Sequence, residues 1–383
     1  MPILKKIKVL QLHPDFNVKS TDISDLAEQI IKGLPADEFE VTSAYLCKKP
    51  KPDQKLSIAQ HSYYFNLPES SLRGLRIIAL WKMYRYLKKH PYDVVICNRF
   101  KTVSMILLLN KLLKIPLCLG ISHVLNEYDR KYRQLQVKIL ADYRWHFVGV
   151  SEAVKTCLTG YNSGFTESNT TAIANAIDTI KADAFQLERN IARERLNLPL
   201  EKRIIGTIGQ LFPRKGHRFL ISALAKIKHQ FPDVDITIIG RGREEENLRK
   251  QISENGLEGR VHLLGFRENA LQYAKAFDIW AMPSLKEGLP LALLEGISGR
   301  LPVIASDIPE MHDTVKDVGG VLFKPGDINA LTSELINYLS MPPEALKQKG
   351  ETAFHHLVTH HSIEQYRENY HQLIRNLLRN NLK

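Results

Sequence analysis

The sequence predicts an α/β protein made of two domains, each a doubly wound parallel sheet covered by helices. Short apolar runs rich in Val and Ile, which are typical of buried parallel strands, alternate with helix-like segments along the chain. The chain has 383 residues, which exceeds one ordinary hydrophobic core and suits two domains. Its 44% hydrophobic and 25% charged content is that of a folded soluble protein.

Charge and cysteine content limit the class of protein further. The net charge of +12 favours an anionic partner, such as nucleotide phosphates, acidic lipid head groups or nucleic acid. The cysteines Cys47, Cys97, Cys118 and Cys157 show no metal-binding or CxxC spacing, so we expect reduced thiols in a cytoplasmic protein. Lysines interrupt the N-terminal apolar run, and polar residues and a proline interrupt residues 105–121. We therefore expect neither a signal peptide nor a transmembrane helix.

The first half of the chain begins with strand, loop and helix and repeats that order. His123 follows one of the apolar runs, and ligands of doubly wound sheets bind beyond the carboxyl ends of the strands, so we expect His123 to face the site. Residues 126–144, which are rich in charged and Tyr residues, suit either an amphipathic surface or a helix near an acceptor. We predict strands at 7–12, 39–46, 93–97, 115–121 and 145–150, with helices at 20–34 and 102–113.

Residues 70–91 form an unusual segment without any acidic residue. One interpretation is a helix that packs on the sheet and presents a solvated basic face. The other is a helix at an anionic membrane surface, because its cations lie beside Trp and Tyr residues. Nucleic acid is not expected as a partner, since no recognition motif accompanies the charge. The cations are Arg73, Arg76, Lys82, Arg85, Lys88 and Lys89.

The second half restarts the alternation near residue 202. We predict strands at 203–208, 234–239, 261–264, 277–282 and 303–305, with helices at 217–230, 289–297 and 330–339. We expect a last helix at 361–382 to cross back to the first domain. The predicted domains are therefore residues 1–178, with the terminal 361–383, and residues 179–360.

The stretch 281–304 is a strand-loop-helix-strand unit with a candidate binding site over its loop. The free N–H groups of a helix N-terminus suit phosphate or sugar oxygens. Glu287 lies in the loop, and Glu295 lies in an apolar helix where a carboxylate needs a partner, for which a ligand diol is one candidate. Alternatively, Glu287 only complements the helix dipole and Glu295 is a surface residue.

A second candidate site element is the loop 209–216, which carries Arg214 and Lys215 between a strand and a helix. Two adjacent cations at the carboxyl end of a strand meet the requirements for a diphosphate clamp. The alternative is a pair of ordinary surface cations.

These motifs resemble those of glycosyltransferase family 4, nucleotide-sugar-dependent enzymes of the GT-B fold. The Glu-x7-Glu signature of that family corresponds to Glu287 and Glu295, preceded here by Pro283-Ser284 and followed by 299–306. The resemblance extends over Lys202 to Leu339, reaches His123 and 147–178 in part, and covers the first hundred residues only in outline. Gln210 replaces an Arg common in the family, and 17–22 replaces its usual Gly-Gly loop.

The resemblance implies two Rossmann-like domains with a cleft between them and a retaining, metal-independent transfer of sugar. In that scheme Glu295 holds the ribose diol, Glu287 contacts the donor sugar, and His123 lies near the donor sugar and the acceptor. Lys215 and Arg214 neutralise the leaving diphosphate. The catalytic candidates are His123 and Glu287, and the donor-binding candidates are Gln210, Arg214, Lys215, Gly265, Phe266, Arg267, Gly288, Leu289, Pro290 and Glu295.

The resemblance also implies the partners. The co-substrate is a nucleotide-sugar, with UDP favoured over GDP or ADP, and no other cofactor is expected. The acceptor is a glycan or a lipid-linked molecule of lipopolysaccharide or envelope polysaccharide synthesis, with the enzyme in the cytoplasm or at the inner face of the membrane. The alternative is an inactive GT-B scaffold that binds a nucleotide or glycan, which Gln210 and the missing Gly-Gly loop favour. A dehydrogenase is disfavoured because the first strand lacks a GxGxxG turn.

Overall fold

The computed structural model describes residues 5–288 and 290–381, which form two compact units. One unit consists of the chain up to Asn175 together with the segment from Ile363 onward. The other is Ala176–Ser362. The sequence had placed this boundary after residue 178, with the C-terminal helix in the first domain.

The first unit contains a parallel sheet of seven strands in the order β3-β2-β1-β4-β5-β6-β7. Its elements are β1 (Ile7–Asp15), α1 (Leu26–Lys32), β2 (Phe39–Cys47), β3 (His61–Tyr64), α2 (Ile77–Lys89), β4 (Val94–Asn98), α3 (Arg99–Leu113), β5 (Leu117–Ser122), α4 (Lys131–Leu140), β6 (Trp145–Gly149), α5 (Glu152–Gly160) and β7 (Thr170–Ala172). The order reverses at β1, because β2 lies on one side of it and β4 on the other.

The second unit contains a parallel sheet of six strands in the order β10-β9-β8-β11-β12-β13. Its elements are α6 (Thr179–Phe185), α7 (Arg189–Leu196), β8 (Arg203–Ile208), α8 (His217–Ile227), β9 (Val234–Ile239), α9 (Glu245–Glu254), β10 (Val261–Leu263), β11 (Ile279–Met282), α10 (Leu291–Ser298), β12 (Val303–Ser306), α11 (Pro309–Asp317), β13 (Val321–Phe323), α12 (Ile328–Leu339) and α13 (Pro343–His360). Here the strand order reverses at β8.

The final helix, α14 (Ile363–Asn381), packs on α1 of the first unit. It buries Tyr366, Tyr370 and Ile374, which recur at helical spacing on one face. Gly33, just after α1, lies so close to Arg367 that a Cβ there would approach the Arg367 Cβ at 2.8 Å. The close approach of backbone to helix explains why this turn carries a glycine.

The prediction and the structure disagree at several elements, three of them for clear local reasons. α1 begins at Leu26 rather than near residue 20, because the Asp25 carboxylate caps it by accepting a hydrogen bond from the backbone N–H of Glu28. α2 begins at Ile77 rather than near residue 70, because Arg76 has a left-handed backbone with φ of 54°. β3 was missed because its four residues are exposed or half-buried and show no apolar run.

Two further observations concern the chain as a whole. Within the part of the chain that the structure describes, no helix has both the length and the apolar composition needed to cross a membrane. All four cysteines are free thiols; Cys47, Cys97 and Cys118 are buried and Cys157 is half-buried.

Candidate functional site

The loops that follow the carboxyl ends of the strands in the second unit carry most of the predicted donor residues. β8 has β9 on one side and β11 on the other, so the crossover connections that start there diverge and leave a crevice. The loop after β8 carries Gln210, Arg214 and Lys215, and the loop after β11 carries Glu287 and Gly288. The predicted residues of these two loops therefore share one edge of the sheet.

The loop after β8 is fixed to the loop after β11 by close backbone contacts. The Leu285 N–H donates a hydrogen bond to the carbonyl oxygen of Arg214 at 2.7 Å. Gly216 has φ of 70°, and a Cβ at this position would overlap the carbonyl oxygen of Pro283. Only glycine combines this left-handed conformation with so close an approach, so Gly216 sets the distance between the two loops.

Glu287 is held at the centre of this arrangement by two side chains. Its Oε1 accepts a hydrogen bond from the Lys215 ammonium at 2.5 Å and another from the Ser284 hydroxyl at 2.7 Å. The Glu287 residue is only 6% exposed. A carboxylate that is this buried needs such partners, so Glu287 does more than complement a helix dipole.

The same contacts determine which cations of the predicted diphosphate clamp are free to bind an anion. Lys215 is half-buried and its charge is already paired with Glu287, whereas Arg214 is exposed. An incoming anion would therefore meet the guanidinium of Arg214 as a fully available charge and share the ammonium of Lys215 with a carboxylate.

Glu310 lies directly behind the loop of Glu287 and had no predicted role. Its carboxylate accepts a hydrogen bond from the Glu287 N–H at 3.4 Å, and the residue is 4% exposed. Burial raises the pKa of Glu310, and the neighbouring Glu287 charge raises it further. The sequence signal was a carboxylate in the first turn of α11, immediately after Pro309.

Helix α10 presents Glu295 on its less buried face. Leu293, Leu294 and Ile297 are buried, whereas Glu295 is half-buried together with Leu291, one turn before it. Helix α10 is therefore covered mainly on the face opposite Glu295. Pro290 is the residue before the helix rather than its first residue.

The structure describes one of the two remaining donor-binding candidates of this segment. Gly288 is buried in the loop before α10. Leu289 lies outside the described residues.

The loop that follows β10 carries the donor-binding candidates Gly265, Phe266 and Arg267 and is largely exposed. Gly265 has φ of 70°, and its carbonyl oxygen accepts a hydrogen bond from the Gly240 N–H at 2.9 Å. The Phe266 ring is 59% exposed, and the Arg241 guanidinium lies over it at 5.0 Å. Arg267 and Gln210 are also exposed. Arg241 was not singled out, although it lies in the Gly-x-Gly after β9, where the sequence indicated a loop.

His123 follows β5 at the carboxyl edge of the first sheet. It is half-buried, and burial together with the nearby Arg99 charge lowers its pKa to about 4. His13 at the end of β1 is buried, and burial, then the charges of His123 and Arg99, lower its pKa to about 3. Both imidazoles are therefore neutral at pH 7. His13 and Arg99 were missed because they come directly from strand ends without any recognisable motif.

Glu127 positions the chain around His123. Its carboxylate accepts hydrogen bonds from the His123 N–H at 3.1 Å, the Ser122 hydroxyl at 2.9 Å and the Phe100 N–H at 2.7 Å. Burial raises the pKa of this carboxyl group. The sequence left the segment after residue 126 open between a surface and an acceptor helix, and it did not identify Glu127.

Within residues 5–288 and 290–381, no group of three or more His, Cys, Asp or Glu side chains could hold a metal ion.

Comparison with family models assigns both halves of the chain. A model described as glycosyl transferases group 1 matches residues 188–355. A second model, described as glycosyltransferase family 4, matches residues 25–181. The two matches do not overlap, and each falls almost wholly within one of the two units.

Individual proteins with similar sequences were found in bacteria. The UDP-Gal:alpha-D-GlcNAc-diphosphoundecaprenol alpha-1,3-galactosyltransferase of Escherichia coli is 24% identical over 79% of this chain and 81% of its own length. The lipopolysaccharide core biosynthesis glycosyltransferase LpsE of Rhizobium meliloti is 29% identical over 30% of this chain and 33% of its own length.

Among solved structures, Anabaena HepE in complex with UDP-glucose superposes with a TM-score of 0.78. The superposition covers 97% of this chain and 100% of HepE at 18% identity. At this level of identity the similarity shows the shared fold.

Proposed function

This chain belongs to the glycosyltransferases of the GT-B fold, and from that premise we propose a retaining, metal-independent transfer of sugar from a nucleotide-sugar to a glycan or lipid-linked acceptor. The observation that carries the proposal is the buried ion pair between Glu287 and Lys215 at the carboxyl edge of the second sheet. It places the Glu287 carboxylate and its paired ammonium at the loop that precedes α10, and Arg214 adds a second cation beside Lys215 in the chain. Donor phosphates and sugar hydroxyls would be bound together there.

The leaving diphosphate is the group whose charge grows as the sugar departs. In this proposal Arg214, Lys215 and the N-terminus of α10 stabilise that charge, and Gln210 adds a neutral hydrogen-bonding group. Removing one such stabilising group typically costs about 3 kcal/mol in the transition state, which is roughly a hundredfold in rate. Because Lys215 is paired with Glu287, we expect donor binding to weaken that ion pair and strengthen the contact to phosphate.

The rest of the donor is assigned to neighbouring loops. We assign the ribose diol to Glu295 and the donor sugar to Glu287, aided by the Gly288 to Pro290 segment, which includes Leu289. The nucleobase is assigned to Gly265, Phe266 and Arg267. UDP is favoured over GDP and ADP, because the E. coli relative is named for UDP-Gal and HepE was solved with UDP-glucose.

The acceptor is assigned to the carboxyl edge of the first sheet. A neutral His123 can accept a hydrogen bond from, or donate one to, an acceptor hydroxyl at pH 7. The E. coli relative is named for a diphosphoundecaprenol acceptor and the R. meliloti relative for lipopolysaccharide core synthesis. We therefore place the reaction in lipopolysaccharide or envelope polysaccharide synthesis, in the cytoplasm, with peripheral contact between residues 70–91 and an anionic membrane.

The donor site is tested by thermal unfolding with UDP, GDP and ADP. A ligand at a hundred times its dissociation constant should stabilise the protein by about 2.7 kcal/mol. We expect UDP to stabilise the wild type and the response to be lost in Glu295→Ala. Glu334→Ala, which removes another half-buried helix glutamate from the same unit, is the matched control and should respond like the wild type. A protein that no nucleotide stabilises would contradict the assigned donor site and favour an inactive scaffold that binds a glycan.

Stereochemistry and metal dependence need a separate measurement. We expect NMR to show that the first product of donor turnover has the anomeric configuration of the donor. We also expect the rate to be unchanged by EDTA. An inverted product or loss of activity with the chelator would refute that part of the proposal while leaving the donor site intact.

A further inference from the structure

Helices α2, α3 and α4 form a layer of the first unit that contains no acidic residue. α3 contacts the strands β1, β4 and β5 and also the helices α2 and α4. Only α2 was noticed in the sequence, as part of the basic segment. The cations of the layer are Lys82, Arg85, Lys88, Lys89, Arg99, Lys101, Lys111, Lys131, Arg133 and Lys138.

The outward side of this layer, which we call the three-helix face, is also unusually apolar. Leu75 is 82% exposed, Leu112 is 71% exposed and Ile139 is 64% exposed. More than half of the large apolar side chains that are exposed in the described part of the chain belong to this region. They are Leu75 in the turn before α2, Tyr143 in the turn after α4, and the helical residues Ile77, Ile78, Trp81, Leu108, Leu112, Tyr132, Leu135 and Ile139.

Polar contacts, and not the exposed apolar side chains, join the three helices. The Arg76 guanidinium before α2 donates a hydrogen bond to the Ser104 hydroxyl of α3 at 3.1 Å. That hydroxyl donates to Oε1 of Gln136 in α4 at 2.8 Å, and Nε2 of Gln136 donates back to the Ser104 carbonyl oxygen at 2.9 Å. This polar bridge connects the helices, so the exposed leucines and isoleucines remain available for another partner.

The combination of exposed apolar and cationic side chains indicates which kind of partner would bind the three-helix face. Exposed Leu and Ile side chains gain nothing from the phosphates of a nucleic acid, whereas they are stabilised in the acyl region of a bilayer. Cations near the surface of an anionic membrane each contribute about fivefold to binding. Trp81 has the Arg85 guanidinium over its ring at 4.8 Å, an amphipathic pair suited to the head-group region.

We infer that the three-helix face docks on an anionic lipid bilayer, with Leu75, Trp81, Leu112 and Ile139 entering the interfacial region and the surrounding cations contacting the head groups. The inference rests on the proposed membrane contact and extends it from residues 70–91 to all three helices. It differs from a purely electrostatic contact because it requires apolar side chains that lie outside the basic segment.

The test is sedimentation of the full-length protein with vesicles of phosphatidylcholine alone or mixed with phosphatidylglycerol. We expect the wild type to sediment with the mixed vesicles and to remain in solution with phosphatidylcholine. The triple variant Leu75→Ser, Leu112→Ser and Ile139→Ser should lower the partition coefficient at least tenfold. The variant with Lys82, Arg85, Lys88 and Lys89 changed to Gln should lower it further, by up to about 600-fold, because each cation contributes about fivefold.

The matched control removes three exposed apolar residues from the other unit, Ile180, Ile191 and Val358, each replaced by Ser. It should sediment like the wild type. Equal sedimentation of the control and the Leu75, Leu112 and Ile139 variant would overturn the inference, as would equal binding to both kinds of vesicle. UDP-dependent thermal stabilisation of each variant reports the donor site separately, so a failure of docking is distinguishable from a failure of the proposed reaction.

Discussion

At the scale of single residues, the chemistry depends on how a few buried charged groups are paired. Glu287 and Lys215 neutralise each other, and Ser284 supplies the second hydrogen bond to the carboxylate. The sequence identified Glu287 as a catalytic candidate and Lys215 as a donor-binding candidate, but it could not show that they bind each other. Seventy-two residues separate them along the chain, and only the packing of the loops after β8 and β11 brings them together.

Replacing Glu287 by Gln should leave the Lys215 ammonium half-buried without its counter-charge. We expect a loss of stability of about 1 to 3 kcal/mol and at least a hundredfold loss of transfer rate. Urea unfolding and a turnover assay measure the two effects. The double variant with Lys215→Met should be more stable than the sum of the single changes indicates, because it removes both charges. Strictly additive losses would show that the ion pair does not stabilise the fold.

A buried histidine next to this site provides a pH-dependent signal. His217 is 3% exposed, and burial, followed by the charge of Lys215, lowers its pKa to about 4. Unfolding lets it bind a proton below its ordinary pKa of about 6.5, so its contribution to stability is complete above pH 6.5 and is lost as pH falls towards 4.

The variant His217→Leu should not show this loss. We therefore expect the difference in unfolding free energy between wild type and variant to shift by about 3 kcal/mol between pH 7 and pH 4. Urea unfolding at several pH values measures it, and a difference that is independent of pH would contradict the assigned pKa.

At the scale of elements, the sequence predicted what depends on runs of neighbouring residues. Strands β8 and β9 begin and end where predicted, because both are rich in β-branched residues and are largely buried in a parallel sheet. The sequence missed β3, because an exposed edge strand shows no apolar periodicity. It placed the start of α2 too early, because a left-handed residue leaves no periodic signal. Glu310 and His13 were missed for a related reason: their roles arise from Glu287 and His123, which are distant in the sequence.

Gly216 tests how the two donor-site loops are held together. An alanine here would suffer both a left-handed backbone and overlap with the Pro283 carbonyl oxygen. We expect Gly216→Ala to destabilise the protein by more than 2 kcal/mol and to abolish stabilisation by UDP. Gly259→Ala is the control, since Gly259 has φ of 77° and no atom within 4 Å of a Cβ. Equal losses in the two variants would mean that the contact with Pro283 is unimportant.

At the scale of the whole molecule, the chain begins and ends in the same unit. α14 follows all of the second unit, yet it packs on α1 and buries Tyr366, Tyr370 and Ile374 there. The Arg367 guanidinium donates two hydrogen bonds to Gln29, at 2.9 and 2.6 Å. The first unit therefore depends on α14, the nineteen-residue helix at the end of the described chain.

Truncation after Ser362 should destabilise the first unit selectively. We expect the thermal transition of that unit to be lost or lowered by more than 10 °C, because burial of four to five large side chains is removed. Stabilisation by UDP should persist, since the assigned donor residues lie in the second unit. Differential scanning calorimetry with and without UDP measures both the transition of the first unit and the stabilisation by UDP. A single transition, unchanged from the wild type, would contradict the claim that α14 stabilises the first unit selectively.

The central claim is that the Glu287 and Lys215 pair is part of a site that transfers sugar from a nucleotide-sugar. The most direct measurement is release of nucleoside diphosphate from a panel of UDP-, GDP- and ADP-sugars by the wild type and by Glu287→Gln. We predict release from a UDP-sugar by the wild type and a rate at least a hundredfold lower in the variant. Equal rates in the two proteins, or no release from any donor with an acceptor glycolipid extract present, would contradict the account.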